Sequence, residues 1–215
     1  MRNVGLAARS ELTGEGEMSH YTLLRPADCC LHIVDPQKNL MNQIYEADRV
    51  TRVIKFMITC ARLLNIPALA NTQYKKGLGP YVDELEEMVS DMPRPDKVEF
   101  GAYSNEETLA IVDGFADSIS TVIMVGVETH ICIYQSAVGA LQRGLTPWIV
   151  ADGTSSRSLK DYEFGLDRLR QLGAIVGPAE MLVYELLGKA GTPQFKELLP
   201  HIIKFSKQNG QESIG

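Results

Sequence analysis

Cys132 lies in the segment Val125-Gly126-Val127-Glu128-Thr129-His130-Ile131-Cys132, between an apolar β-branched run and a stretch with helical spacing. With Thr129 as N-cap, Cys132 falls in the first helical turn, where free N–H groups and the helix dipole favour a thiolate. The same N–H groups can hold a developing oxyanion. The alternative is a small buried apolar residue, as free cysteines often are, and position alone does not choose between the two. Asp35 ends the run Cys29–Val34 and precedes Pro36. Such an aspartate is commonly a turn former or an N-cap. Beside a thiol, however, a carboxylate can accept the proton, and burial raises its pKa toward that role. Lys97, in Arg94-Pro95-Asp96-Lys97-Val98-Glu99-Phe100, reads on its own as a solvated surface lysine. Beside the other two, its cation would favour thiolate and carboxylate alike.

These residues need elements to bring them together. Cys29–Val34 is a short apolar run that reads as a buried strand. Val50, Val53, Ile54, Met57, Ile58, Ala61 and Leu64 form the stripe of a helix that stops near Asn65, before Ile66-Pro67. Residues 67–72 read as a weaker strand, 74–81 as a loop rich in Lys, Gly and Pro, and 97–100 as a short strand. Residues 121–125 are the clearest strand, 126–129 a turn, and a helix follows to about Arg143 with Gly144 as its C′ residue. Residues 148–151 make the next strand, ending at Asp152-Gly153. Ser158 and Asp161 resemble a capping box opening a helix that ends at Gly173, and residues 174–176 are a last short strand. Thr192-Pro193 is an N-cap and N1 pair for a C-terminal helix.

Strands alternating with helices, without hairpin signals, predict a single-domain α/β fold: three αβα layers around a mostly parallel, Rossmann-like sheet. Ligands in such folds sit beyond the carboxyl ends of the strands. Asp35, the 128–132 turn and Asp152 all fall there.

Composition narrows the function classes. The chain has 215 residues, 45% hydrophobic, enough for one sizeable core. Its net charge of -6 argues against a broad electrostatic grip on nucleic acid or an anionic membrane. No run of about 18 apolar residues is present to cross a bilayer. Residues 1–17 lack an apolar h-region and read as a flexible leader, with Met18 a possible natural start; residues 18–205 form the domain, and 206–215 a polar, frayed tail. Cys29, Cys30, Cys60 and Cys132 show neither zinc spacing nor a disulfide framework, which fits reduced thiols in the cytoplasm.

At Asp35, Lys97 and Cys132 together the sequence resembles the isochorismatase-like, or cysteine hydrolase, superfamily. The resemblance runs from about Thr22 to Leu199. It is carried by Ile33-Val34-Asp35-Pro36-Gln37-Lys38-Asn39, Lys97 with Phe100, and Gly126-Val127-Glu128-Thr129-His130-Ile131-Cys132. Ala151-Asp152-Gly153-Thr154-Ser155-Ser156-Arg157-Ser158 adds to it. The Glu-Thr-His-Ile-Cys and Thr-Ser-Ser-Arg-Ser segments look most like the isochorismatase domain-containing subgroup. The resemblance implies the isochorismatase-like hydrolase fold, an Asp35, Lys97, Cys132 triad, and a cis peptide at Val127–Glu128. It implies acyl transfer from a small amide or related carbonyl compound through a covalent acyl-enzyme, with the backbone N–H groups of Glu128 and Cys132 as oxyanion hole. It also implies a homo-oligomer, a dimer or tetramer, for which the apolar stretch around Met181 to Leu187 is a candidate docking face. Nicotinamidases in the superfamily carry an Asp-x-His…His metal site after the second strand. Here that region reads Asn71-Thr72-Gln73-Tyr74-Lys75-Lys76, so no metal and no other cofactor is expected. Isochorismatases that act on isochorismate lack the nucleophilic cysteine, so Cys132 argues against that substrate.

Leu40, Phe100, Tyr103, Thr129 and His130 are candidate substrate contacts, with core packing the equal alternative for Leu40, Phe100 and Tyr103, and a satisfied structural histidine the alternative for His130. Arg157 can clamp a carboxylate or brace its loop; Trp148 reads as core. The competing functions are a non-catalytic binding or scaffold protein on the same fold, and a redox-sensing thiol protein using Cys132.

Overall fold

A computed structural model describes residues 23–212. The expected leader at residues 1–17 lies outside them. β1 (Cys29–Val34) is followed by the one-turn helix α1 (Lys38–Met41), the long α2 (Ala47–Leu63) and β2 (Ala68–Gln73). Two more single turns, α3 (Lys75–Leu78) and α4 (Asp83–Glu86), lead to the two-residue β3 (Asp96–Lys97) and to α5 (Glu106–Asp113). β4 (Thr121–Val127) enters a π-helical turn (Thr129–Ile133) that runs into α6 (Tyr134–Gln142). β5 (Thr146–Ser155), α7 (Leu159–Gln171), β6 (Ile175–Gly177), α8 (Ala179–Leu187) and α9 (Pro193–Glu212) complete the chain.

The strands form one parallel sheet in the order β3-β2-β1-β4-β5-β6. Alternation of side chains across the pleat divides the core in two. Cys29, Leu31, Ile33, Ile123, Val125, Trp148 and Val150 pack on one face with α2, α8 and α9. Cys30, Val34, Val122, Met124 and Ile149 pack on the other with α6 and α7. Runs that read as uniformly apolar thus feed two layers of helices, which is why they do not alternate with polar residues.

The capping residues act as their types require. Ser158 Oγ accepts from Asp161 N at 3.1 Å, and Thr192 Oγ1 accepts from Phe195 N at 3.0 Å. Gly144 and Gly173 take positive φ after α6 and α7. Three expectations are corrected. β5 does not end at Asp152 but continues to Ser155, its register with β4 shifting between Met124 and Gly126. β3 stops at Lys97 and does not reach Phe100. The last helix runs past Phe205 to Glu212, farther than the sequence suggests, and the rest of the expected tail lies outside the described residues.

Candidate active site

The strand order reverses between β1 and β4, and in parallel α/β sheets the crevice at such a reversal is where ligands bind. Asp35 leaves β1 there and Glu128 leaves β4. Val34 pairs with Gly126, and with the Gly126 backbone turned as it is, a Cβ there would collide with the Val34 carbonyl oxygen. Gly126 has φ 122, so glycine is required on both counts. Asp35 itself has φ 53, a left-handed conformation that aspartate tolerates better than most residues. The Val127–Glu128 peptide is cis.

Lys97 reaches this crevice from β3. Its Nζ lies 2.6 Å from Asp35 Oδ2, with both side chains fully buried. The same Nζ donates to Gln73 Oε1, also at 2.6 Å. Cys132 sits in the π-helical turn, closed by Ile133 N donating to Glu128 O at 3.1 Å, and is 5% exposed. Single π turns are frequent at functional sites. The structure therefore brings Asp35, Lys97 and Cys132 into one buried cluster.

Burial pushes the Asp35 carboxyl up to about 6, although the Lys97 cation and the nearby Cys132 thiol pull it down. Burial, then the Asp35 charge, pushes the Cys132 thiol up to about 12, against Lys97 and a backbone hydrogen bond at Glu128. A thiolate stabilised by a helix N-terminus, expected from sequence, is thus corrected. The α-helix begins only at Tyr134, and desolvation by burial is the largest influence on the thiol. The sulfur holds its proton, and the base that can take it is the carboxylate beside it.

The remaining candidates divide. His130 Nδ1 pairs with Ser156 Oγ at 2.8 Å, which fixes its ring. Glu128 Oε2 accepts from Arg157 Nε at 2.9 Å, so Arg157 braces the turn that carries Cys132. Thr129 is buried with its hydroxyl unpartnered among the described residues. Tyr103 is buried in the same apolar cluster as Cys132, its hydroxyl likewise unpartnered. Leu40 is partly buried against the opposite cluster, the one that contains α2. Phe100 is 54% exposed. Asp152 belongs elsewhere: its Oδ1 accepts from Ala179 N at 2.8 Å and caps α8. Among the described residues, no group of three or more His, Cys, Asp and Glu is arranged to hold a metal.

Residues that sequence reasoning did not single out also shape the site. Gln73 and Gln37 carry no signal of their own, and only the fold shows Gln73 on Lys97. Gly165 in α7 packs so closely that a Cβ there would lie 2.9 Å from His130 N.

A domain model described as isochorismatase domain matches residues 29–181. Isochorismatase domain-containing protein 1 of Salmo salar is 36% identical over 183 residues, covering 85% of this chain but only 63% of that protein. A structure described as MAR1 ribonuclease from Caenorhabditis elegans is 31% identical with a TM-score of 0.78, covering 85% of this chain and 93% of the other. The Escherichia coli YcaC product, described as an octameric hydrolase of unknown specificity, shares the fold at 22% identity and a TM-score of 0.78, over 91% and 98% of the two chains. The domain match over most of its length, with the relatives it is similar to, places the chain in the isochorismatase family.

Proposed function

We propose that the protein is a cysteine-dependent hydrolase of a small amide or related carbonyl compound, with Cys132 as nucleophile, Asp35 as general base and Lys97 as their electrostatic partner. One observation carries this reading: a buried carboxylate pushed up to about 6, held through Oδ2 2.6 Å from a buried lysine, with its Oδ1 buried and unpartnered among the described residues and a buried thiol near enough to feel its charge. A carboxyl in that range is largely ionised at neutral pH and basic enough to take a proton.

Asp35 takes the Cys132 proton as the sulfur attacks the carbonyl carbon. The C=O π electrons move to oxygen, and the backbone N–H groups of Glu128 and Cys132 hold that oxyanion. The tetrahedral intermediate collapses to a thioester. The carbon–nitrogen bond breaks, and the amine leaves with the proton from Asp35. Water, deprotonated by Asp35, then attacks the thioester; the sulfur leaves and regains its proton. Metal and cofactor have no part in this scheme. Thr129 and His130 flank the nucleophile in its turn, and we assign them, with Leu40, Phe100 and Tyr103, to substrate contact.

A small molecule is favoured over a nucleic acid because acidic side chains outnumber basic ones, 27 to 21. No helix among the described residues is long and apolar enough to cross a membrane. Reduced thiols suit a cytoplasmic setting. Self-association, as described for the octameric YcaC hydrolase, is supported by Met181 and Tyr184, which stand 59% and 48% exposed on α8. The test is intact-mass measurement after exposure to a panel of small amides and esters. An acyl adduct on Cys132, absent from Cys132→Ala, is expected; turnover of such a substrate by Cys132→Ala would overturn the reading.

A further inference from the structure

Lys97 has three N–H donors and no acceptor. One goes to Asp35 Oδ2 and another to Gln73 Oε1, each at 2.6 Å. Because an ammonium can only donate, the Gln73 amide must turn its oxygen to Lys97. Its Nε2 then faces the Val98 carbonyl and donates to it at 3.0 Å. The side chain is therefore held at both ends, against Lys97 and against the residue that follows it.

Gln73 is also fixed from behind. Its backbone N–H donates to Gln37 Oε1 at 2.7 Å, and Gln37 Nε2 donates back to Gln73 O at 3.1 Å and to Gly79 O at 2.8 Å. Gln37 is fully buried and stands two residues after Asp35, whose carbonyl accepts from Gln37 N at 2.7 Å. Two glutamines thus tie the end of β1, which carries Asp35, to the ends of β2 and β3, which carry Lys97. β3 is only two residues long and would otherwise hold Lys97 through few backbone bonds.

We propose that Gln73, backed by Gln37, is a positioning residue that holds the Lys97 ammonium against Asp35 and so sets the pH at which Asp35 becomes a base. This rests on the roles given above to Asp35 and Cys132. A neutral amide is well suited here, because it accepts from the ammonium without competing for its charge. A carboxylate in its place would share Lys97 with Asp35 and repel it. The charged and titratable groups around Asp35 are Lys97 and Asp96 on β3, Cys132 on the π-helical turn, and Tyr81 on the loop before α4. Of these, Lys97 is the one that Gln73 touches.

The readout is the rate of Cys132 alkylation by iodoacetamide against pH, mapped by peptide mass, with circular dichroism as folding control. In Gln73→Met the acid limb should move up by about one pH unit, which is about tenfold slower labelling below the midpoint. Gln73→Glu should move it up as well, and this variant decides the matter if Gln73→Met does not fold. In a Lys97→Met background Gln73→Met should add nothing, because Gln73 acts through Lys97. An unmoved limb in folded Gln73 variants, or the same shift with and without Lys97, would overturn the proposal. Asp35→Asn separates the two levels. If it leaves the limb in place, the Asp35 base itself is wrong; if it abolishes the limb while the Gln73 variants do not move it, only the role of Gln73 fails.

Discussion

Lys97 Nζ stands 2.6 Å from Asp35 Oδ2 with neither side chain reached by solvent. Taking both charges out of water is costly, and their attraction offsets that cost only while both are present. Lys97→Met leaves the carboxylate buried without its cation, so the Asp35 pKa rises beyond the present value of about 6. The unfolded aspartate titrates near about 3.9, so between the two values the native state binds more protons than the unfolded chain. Stability of the variant is therefore present at low pH and lost as pH rises through the raised native pKa. Urea unfolding should show a deficit of about 3–5 kcal/mol at about pH 8 and a clearly smaller one at about pH 5. A deficit independent of pH would count against an ionised, unpaired Asp35.

Much of this arrangement is legible in the sequence, and the reasons differ by residue. β1 and β4 announce themselves as short apolar runs, and Asp35 and Cys132 follow at their ends, where parallel α/β sheets place ligands. Lys97 is legible only through family resemblance, because a lysine on a two-residue edge strand has no local mark of burial. Asp152 is misplaced by a sequence reading because Asp152-Gly153 looks like a strand end. In the fold Gly153 allows β5 to continue past Val53 and Val125, which a Cβ would meet at 2.9 and 3.0 Å. The raised thiol pKa is not legible, since it depends on how deeply the π-helical turn is buried. The Gln37–Gln73 pair escapes sequence reasoning because side-chain amides have no periodicity.

Gly126→Ala should be severely disruptive. The new methyl would meet the Val34 carbonyl, and alanine is strained at φ 122. A loss of more than about 3 kcal/mol is expected from strain and backbone displacement together. Thermal and urea unfolding check it; a loss below about 1 kcal/mol would mean that β1 and β4 part easily at the site.

Asp152→Ala tests the corrected role of that residue. Losing the bond to Ala179 N should cost about 1 kcal/mol, as for other helix caps. The alkylation rate of Cys132 should stay as in the parent. A large change in that rate with unchanged stability would return Asp152 to the active site.

All four cysteines are buried, and burial pushes each thiol up, Cys29, Cys30 and Cys132 to about 12. Cys132 alone among the four has the Asp35 carboxylate and the Lys97 ammonium near enough to act on it. Limiting iodoacetamide at neutral pH should therefore label Cys132 first, and peptide mapping that found Cys29, Cys30 or Cys60 labelled ahead of it would contradict its assignment as nucleophile.

The pairing of Asp35 with Cys132 is tested most directly by the alkylation rate of Cys132 between about pH 4 and about pH 9, for the parent and for Asp35→Asn. In the parent the rate should rise with a midpoint near about 6, the Asp35 value, far below the thiol's own ionisation at about 12. In Asp35→Asn that step should vanish and the rate near neutrality should fall roughly 10²–10⁴-fold, the usual worth of a positioned base. A variant that kept both the midpoint and the rate would show that Asp35 does not take the Cys132 proton.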